Sequence, residues 1–173
     1  MNGYLLPFVL FVAITLESFG WLPSFMDSQK VEGYADRVVV DKSDRKLYLM
    51  RNGRVLAEYH IALGRNPDGA KVRQGDRKTP EGEYILDFKK VNSDFYRAIH
   101  VSYPSKKDIE RARRLGVKPG GAIMIHGQPN GWGWLSFIRQ RFNWTSGCIA
   151  VSNDDMDEIW KTVRPGTPIT IKE

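Results

Sequence analysis

From residue 37 onward the chain takes up a pattern in which apolar and polar positions alternate, the signature of half-buried strands. Arg37–Asp41 reads as a short strand, and Lys46–Arg51 and residues 54–63 read as two more, flanking Asn52-Gly53. An Asn-Gly pair between alternating runs predicts a tight hairpin, because both turn positions take positive φ. Val55, Ala57, Tyr59, Ile61 and Leu63 alternate, which predicts one core-facing side for the second strand of that hairpin. A Gly- and charge-rich loop is expected over residues 64–78. Thr79-Pro80-Glu81-Gly82 then turns the chain into a strand at residues 83–88.

Three helices interrupt this pattern. Residues 106–115 form one, ended by Gly116, and residues 134–142 are expected to form a second. The third spans residues 154–163, with Met156, Ile159, Trp160 and Val163 on one face and Ser152 with Asp155 as a capping box. A last strand follows at residues 169–172. The expectation is a single mainly β domain with short peripheral helices.

The N-terminus differs in kind. Residues 4–25 carry one charge, Glu17, and residues 5–16 are almost wholly apolar. That run has the length of a secretory apolar core, and residues 4–25 together are just long enough to span a bilayer. Pro7 and the lack of a preceding Lys or Arg fit a cleaved signal less well, and a buried helix is the third option. The division expected is a signal peptide or membrane anchor over 1–26, a polar connector over 27–36 and a folded domain over 37–173, in an exported protein of the periplasm or cell envelope.

Composition narrows the chemistry. The 173 residues carry a net charge of +6, which suits an anionic partner. The basic residues are scattered, Arg111, Arg113 and Arg114 being the densest cluster, so no nucleic-acid partner is expected. A single cysteine, Cys148, excludes an intrachain disulfide and a paired-cysteine zinc site, and the three histidines are far apart in sequence. No phosphate loop or dinucleotide fingerprint is present.

The remaining candidate chemistry lies in two segments. An apolar run, residues 122–125, leads into His126-Gly127, and some twenty residues later comes Thr145-Ser146-Gly147-Cys148. A thiol attacks as its thiolate, so it needs a base, and the base needs a group to orient it. His126 is the candidate base and the Gly127 carbonyl the candidate orienting group. Backbone N–H groups of Ser146, Gly147 and Cys148 are candidates for an oxyanion hole, with a hydroxyl contact from Thr145. Taken singly, Cys148 reads as a small buried hydrophobe and His126 as a satisfied core residue. Together they point to acyl transfer.

These segments carry a resemblance. VDKSDRKLYLMRNG, HIALGRNPDG, GDRKTPEGEY, IMIHG and TSGCIAVSNDDMDEIW occur in the order found in the L,D-transpeptidase (YkuD-like) catalytic domain, across nearly all of residues 37–173. The resemblance implies a YkuD-like β-sandwich, Cys148 as nucleophile, His126 as base, Gly127 as orienting carbonyl and no metal or organic cofactor. It also implies peptidoglycan stem peptides as substrate, with a wall-anchored protein as a further candidate acceptor or substrate, and membrane contact only through the N-terminal segment.

Three departures stand out. Many members have a second His where this chain has Ser146, and many follow the cysteine with Ile-Arg where it has Ile149-Ala150. The interval between His126 and Cys148 is also longer than usual. Trp132, Trp144, Arg139 and Arg141 in and beside that interval are candidates for substrate binding, the arginines standing in for the absent charge, and His100 is a candidate cleft-lining residue. The function expected is acyl transfer from a tetrapeptide stem to an amine, in wall cross-linking or remodelling and cell shape. The alternatives are a peptidase or amidase that delivers the same thioester to water, and a non-catalytic wall-binding module.

Overall fold

The computed structural model describes residues 33–173, so the expectations for residues 1–26 and most of the connector fall outside the described residues. Among the described residues no helix is long and apolar enough to cross a membrane.

Among the described residues, eight strands form one mixed sheet. They are β1 (Arg37–Asp41), β2 (Lys46–Arg51), β3 (Arg54–His60), β4 (Gly82–Lys90), β5 (Ala98–Val101), β6 (Met124–His126), β7 (Ile149–Ala150) and β8 (Thr167–Lys172). Their spatial order is β3-β2-β1-β8-β4-β5-β6-β7. The sheet curls until its two edges meet: just past β3, Ala62 exchanges two backbone hydrogen bonds of 2.8 Å with Ala150 of β7.

The inward face is Val38, Val40, Leu47, Leu49, Leu86, Ile99, Ile125, Ile149, Ile169 and Ile171, all essentially inaccessible to water. Each such side chain stabilises the fold by roughly 2 kcal/mol, and a one-residue slip would turn a whole strand outward, so register is firmly set. Helix α3 (Asn153–Thr162) buries Met156 and Ile159 against this core, and its first turn is capped by Ser152, which accepts from the Asp155 amide at 3.1 Å.

The hairpin turn is as the sequence predicts, with Asn52 at φ 51° and Gly53 at φ 75°. The predicted face of the following strand needs correction. Leu49 pairs with Ala57 but Met50 pairs with Val55, so Leu56 is an extra residue that breaks the alternation. Val55 is consequently 54% exposed, while Tyr59, Ile61 and Leu63 keep the core side. The ladder itself stops at His60.

Helix α1 (Lys106–Arg114) is capped by Ser105 and Asp108 in reciprocal hydrogen bonds, and matches expectation. The helix expected over 134–142 is reduced to a 3-10 turn, Gly133–Leu135, and a four-residue α2 (Ser136–Arg139). It has no side-chain cap and no buried residue to hold it. At its end the Gln140 and Arg141 carbonyls are taken by the Arg45 guanidinium, at 2.6 and 2.9 Å.

Topology requires a substantial connection between His126 and Cys148. Strands β6 and β7 are parallel neighbours, and a parallel pair needs a crossover connection of a dozen residues or more. Residues 127–148 supply it.

Candidate active site

Strand β6 ends at His126, and Cys148 sits immediately before β7. The ladder pairs Ile125 with Ile149 and His126 with Ala150. Ile125 and Ile149 face the core, so the two-residue repeat of a strand turns Met124, His126 and Cys148 to the other side of the sheet. Two residues distant in sequence are thus presented on one face by adjacent strands.

The His126 ring is held on three sides. Its Nδ1–H donates to the Gly127 carbonyl at 2.6 Å, a bond that fixes the tautomer because a carbonyl only accepts. Phe95 lies against the ring at 4.1 Å between centroids, and Trp144 meets it edge-on at 5.8 Å. Burial pushes the imidazole down to about 4, with the Gly127 carbonyl opposing. The ring is therefore neutral at pH 7, with a lone pair on Nε2.

The position of Gly127 leaves no room for a side chain: a Cβ there would lie 2.6 Å from Asn153 Oδ1 and 2.9 Å from the Tyr96 carbonyl. Tyr96 and Asn153 also accept from the Gly127 and Gln128 amides, both at 2.9 Å. The orienting carbonyl is thus clamped between the β4–β5 connection and the start of α3.

Cys148 is partly accessible, and its Sγ–H points to the Ala122 carbonyl at 3.6 Å. Ala122 adopts φ 54°, a left-handed conformation rare for alanine, which aims that carbonyl. Burial pushes the thiol up, against the Met124 amide and the Lys71 ammonium, which favour the thiolate. At neutral pH the two groups therefore rest as thiol and neutral imidazole.

The turn before Cys148 corrects two assignments. The Gly147 N–H donates to Thr145 Oγ1 at 3.0 Å, and that hydroxyl donates to the Cys148 carbonyl at 2.7 Å. Thr145 is therefore a brace inside the turn, and its hydroxyl is not available to a substrate. The Gly147 amide is likewise occupied. The amides of Ser146 and Cys148 make no hydrogen bond among the described residues. Gly147 serves the turn by its conformation, φ 134°, with the Lys78 carbonyl 2.7 Å from where a Cβ would be.

The crossover is fastened at both ends. Asn130 donates to the Ser93 carbonyl at 2.8 Å, and at the far end His60 Nε2 donates to the Gln140 carbonyl at 2.9 Å. Between them Trp134 and Phe137 are exposed. Arg139 lies between two indoles, its guanidinium carbon 5.4 Å from the centroid of Trp132 and 5.4 Å from that of Trp144. It makes no hydrogen bond or ion pair among the described residues, and the buried Nε1–H of Trp144 also lacks an acceptor.

The other two candidates for substrate contact, Arg141 and His100, are not brought to the pair. Arg141 is exposed, and it is the backbone carbonyl of this residue that is engaged, not the guanidinium. His100 turns to β4, stacked on Phe88 at 4.5 Å with Nδ1 bonded to Asp87 at 2.7 Å. Sequence reasoning missed Phe95, Gln128, Asn153 and the buried Lys71–Asp76 pair. Only the last left a trace, in the repeated Gly and charge of GRNPDGAKVRQGD.

The profile of the YkuD family, the L,D-transpeptidase catalytic domain, matches residues 35–171. The chain belongs to this family. Among relatives of the L,D-transpeptidase domain, YafK of Escherichia coli (strain K12), provisionally named an L,D-transpeptidase, is 30% identical over 166 residues, covering 92% of this chain and 60% of YafK. YqjB of Bacillus subtilis (strain 168), with a similarly provisional name, is 26% identical over 140 residues, 79% of this chain and 70% of YqjB. Among solved structures, the helical cell shape determining protein Pgp2 from Campylobacter jejuni superposes with a TM-score of 0.61 at 28% identity, over 85% of this chain and 52% of Pgp2. The L,D-transpeptidase fold is shared with a domain from Xylanimonas cellulosilytica at 18% identity, over 81% of this chain and 61% of that one, with a TM-score of 0.54. The chain thus spans about 60% of the length of YafK and about half that of Pgp2.

Proposed function

We propose that this chain is a peptidoglycan L,D-transpeptidase working by cysteine acyl transfer. Cys148 passes its proton to Nε2 of His126 and attacks the diaminopimelate carbonyl of a tetrapeptide stem. The oxygen that gains the electron pair is met by the amides of Ser146 and Cys148. As the carbonyl reforms, His126 returns the proton to the departing D-alanine, leaving a thioester on Cys148. An amine of a second stem then attacks the thioester and releases the enzyme, cross-linking or remodelling the wall.

The observation that carries this reading is the 2.6 Å bond from His126 Nδ1 to the Gly127 carbonyl. It leaves Nε2 as an acceptor on the face of β6 that the Cys148 side of β7 shares, and a merely structural histidine has no need of a clamped glycine beside it. Arg139 is the group we assign to the stem's terminal carboxylate. It is a cation without an anionic partner among the described residues, held on the indole that also touches His126. Ala150, fully buried against Ala62, has no charge to offer in its place. The apolar residues 4–25 serve export or anchoring, which puts the domain in the cell envelope with its substrate.

A quenched reaction tests the covalent step. Full-length chain mixed with a disaccharide-tetrapeptide and stopped in acid is expected to carry the stem less D-alanine on Cys148, seen by intact mass and peptide mapping. No adduct under single-turnover conditions, with substrate consumed, contradicts it.

A further inference from the structure

Residues 132–142 of the crossover wind through successive helical turns, with amides of Leu135, Gln140, Arg141 and Phe142 donating to carbonyls three or four residues back. A surface helix ordinarily turns its apolar stripe to the core and its polar groups to water. This segment does the reverse. Its buried residue is Gln140, while Trp134, Phe137, Ile138 and Phe142, at i, i+3, i+4 and i+8, face solvent. Trp134, Phe137 and Phe142 are 72, 68 and 64% exposed, and Arg141 lies exposed on the same face at i+7. With Trp132, five of the twelve exposed large hydrophobics among the described residues fall within these eleven positions. Single exposed apolar residues are ordinary, but a cluster of them marks a surface that meets a partner.

The chemistry of the face selects that partner. Residues 127–148 contain no Asp or Glu and two arginines. A third guanidinium, that of Arg45, is drawn to the end of the segment by the Gln140 and Arg141 carbonyls. A sugar chain would need polar groups beside the rings to fix its hydroxyls. All four carboxamides of the crossover are instead bonded to the protein's own backbone: Gln128 donates to Val151, Asn130 to Ser93 and Gln140 to Ala150, and Asn143 accepts from Leu63. The face itself offers indole, phenyl, alkyl and guanidinium groups. That is the composition of a segment at a bilayer interface, where aromatic rings enter the headgroup boundary and arginines meet phosphates. The export or anchoring role proposed for residues 4–25 brings such a bilayer to the domain.

We propose that the outward face of residues 132–142 docks on an anionic phospholipid bilayer. Trp134, Phe137 and Phe142 enter the headgroup boundary and Arg141 pairs with lipid phosphates, a contact separate from any made by residues 4–25. This rests on the envelope location proposed above, but not on the identity of the acyl donor or acceptor.

A single fluorophore tests it. Acrylodan is placed on Ser136→Cys in the full-length Cys148→Ala chain, which has no other cysteine, with Arg113→Cys on α1 as the control. On vesicles of phosphatidylglycerol and phosphatidylethanolamine the Ser136 probe is expected to shift to the blue, and the Arg113 probe to keep its aqueous emission. Trp134→Ser combined with Phe137→Ser, and separately Arg141→Glu, are each expected to lose most of the shift, with circular dichroism unchanged. Should the double variant not fold, Arg141→Glu carries the test. A Ser136 probe that keeps its aqueous emission on these vesicles overturns the proposal, even if the chain sediments with them. So does a shift retained in both variants. Emission already blue before lipid is added, the sign that the N-terminal segment or a second copy covers the face, overturns it as well. A response to purified wall sacculi in place of vesicles overturns it in favour of the glycan. None of these readings needs turnover, and muropeptide products decide the acyl transfer separately, so either proposal can fail alone.

Discussion

The Nδ1–H of His126 donates to the carbonyl of Gly127, its own neighbour in sequence, at 2.6 Å. This single contact selects the tautomer, fixes the plane of the ring and leaves the Nε2 lone pair free to accept. Its geometry depends on Gly127 being a glycine. In Gly127→Ala the new methyl would stand 2.6 Å from Asn153 Oδ1, so the peptide must shift. Turnover is expected to fall on the order of 100-fold, as for small misplacements of a catalytic group, with the protein still folded. Undiminished kcat in a folded Gly127→Ala variant would show that the carbonyl does not orient the base.

In the mechanism we propose, the acid limb of the rate profile follows from His126. Burial holds its folded value at about 4, below the ordinary 6.5, so the base stays unprotonated as pH falls through 6 and 5. Transfer is expected to persist at pH 5 and to collapse near pH 4. Stability follows with the same sign. The unfolded chain takes up a proton near pH 6.5 that the folded state resists until about 4, so stability is full above that window and declines as pH falls through it. Thermal melts of the parent and His126→Gln between pH 7 and 4 check this, the variant losing less across the window.

Thr145 braces the turn before Cys148 by accepting from Gly147 and donating to the Cys148 carbonyl. Thr145→Val removes both bonds in a buried place and is expected to cost about 2 kcal/mol and most of the activity. Thr145→Ser keeps the hydroxyl and is expected to restore both. Chemical denaturation with parallel turnover assays reads the two effects. Equal behaviour of Val and Ser variants would mean that the hydroxyl is not the brace.

Arg139 is expected to act on substrate binding. Arg139→Ala is predicted to raise KM roughly tenfold or more, the scale of a charge-assisted hydrogen bond, with kcat little changed. Arg141→Ala, whose side chain has no such placement, is expected to match the parent. A donor stem amidated at its C-terminus should lose the difference between Arg139→Ala and the parent, and a persisting difference would move the carboxylate contact elsewhere.

What could be read from the sequence was what is local. The Asn52-Gly53 turn, the Ser105 and Ser152 caps and the strands β1, β2 and β4 depend on residues within a few positions of one another. The His126 and Cys148 segments were visible because their residue types are uncommon together. The missed features depend on partners far along the chain. Phe95 meets the His126 ring from the β4–β5 connection, the Lys78 carbonyl backs a turn formed some seventy residues later, and β7 is two residues long, too short for any periodicity. Alternation alone puts Val55 on the core face, and a bulge that leaves the alternation intact turns it outward.

The central claim is that Cys148 transfers a stem acyl group to an amine. Its most direct test incubates the full-length chain and its Cys148→Ala variant with purified tetrapeptide muropeptides and reads the products by mass spectrometry. Cross-linked dimers with release of D-alanine, made by the parent and absent with Cys148→Ala, are the predicted result. Shortened monomers that depend on Cys148 and come without dimers would replace the transferase with a hydrolase. Products that survive Cys148→Ala would contradict the account altogether.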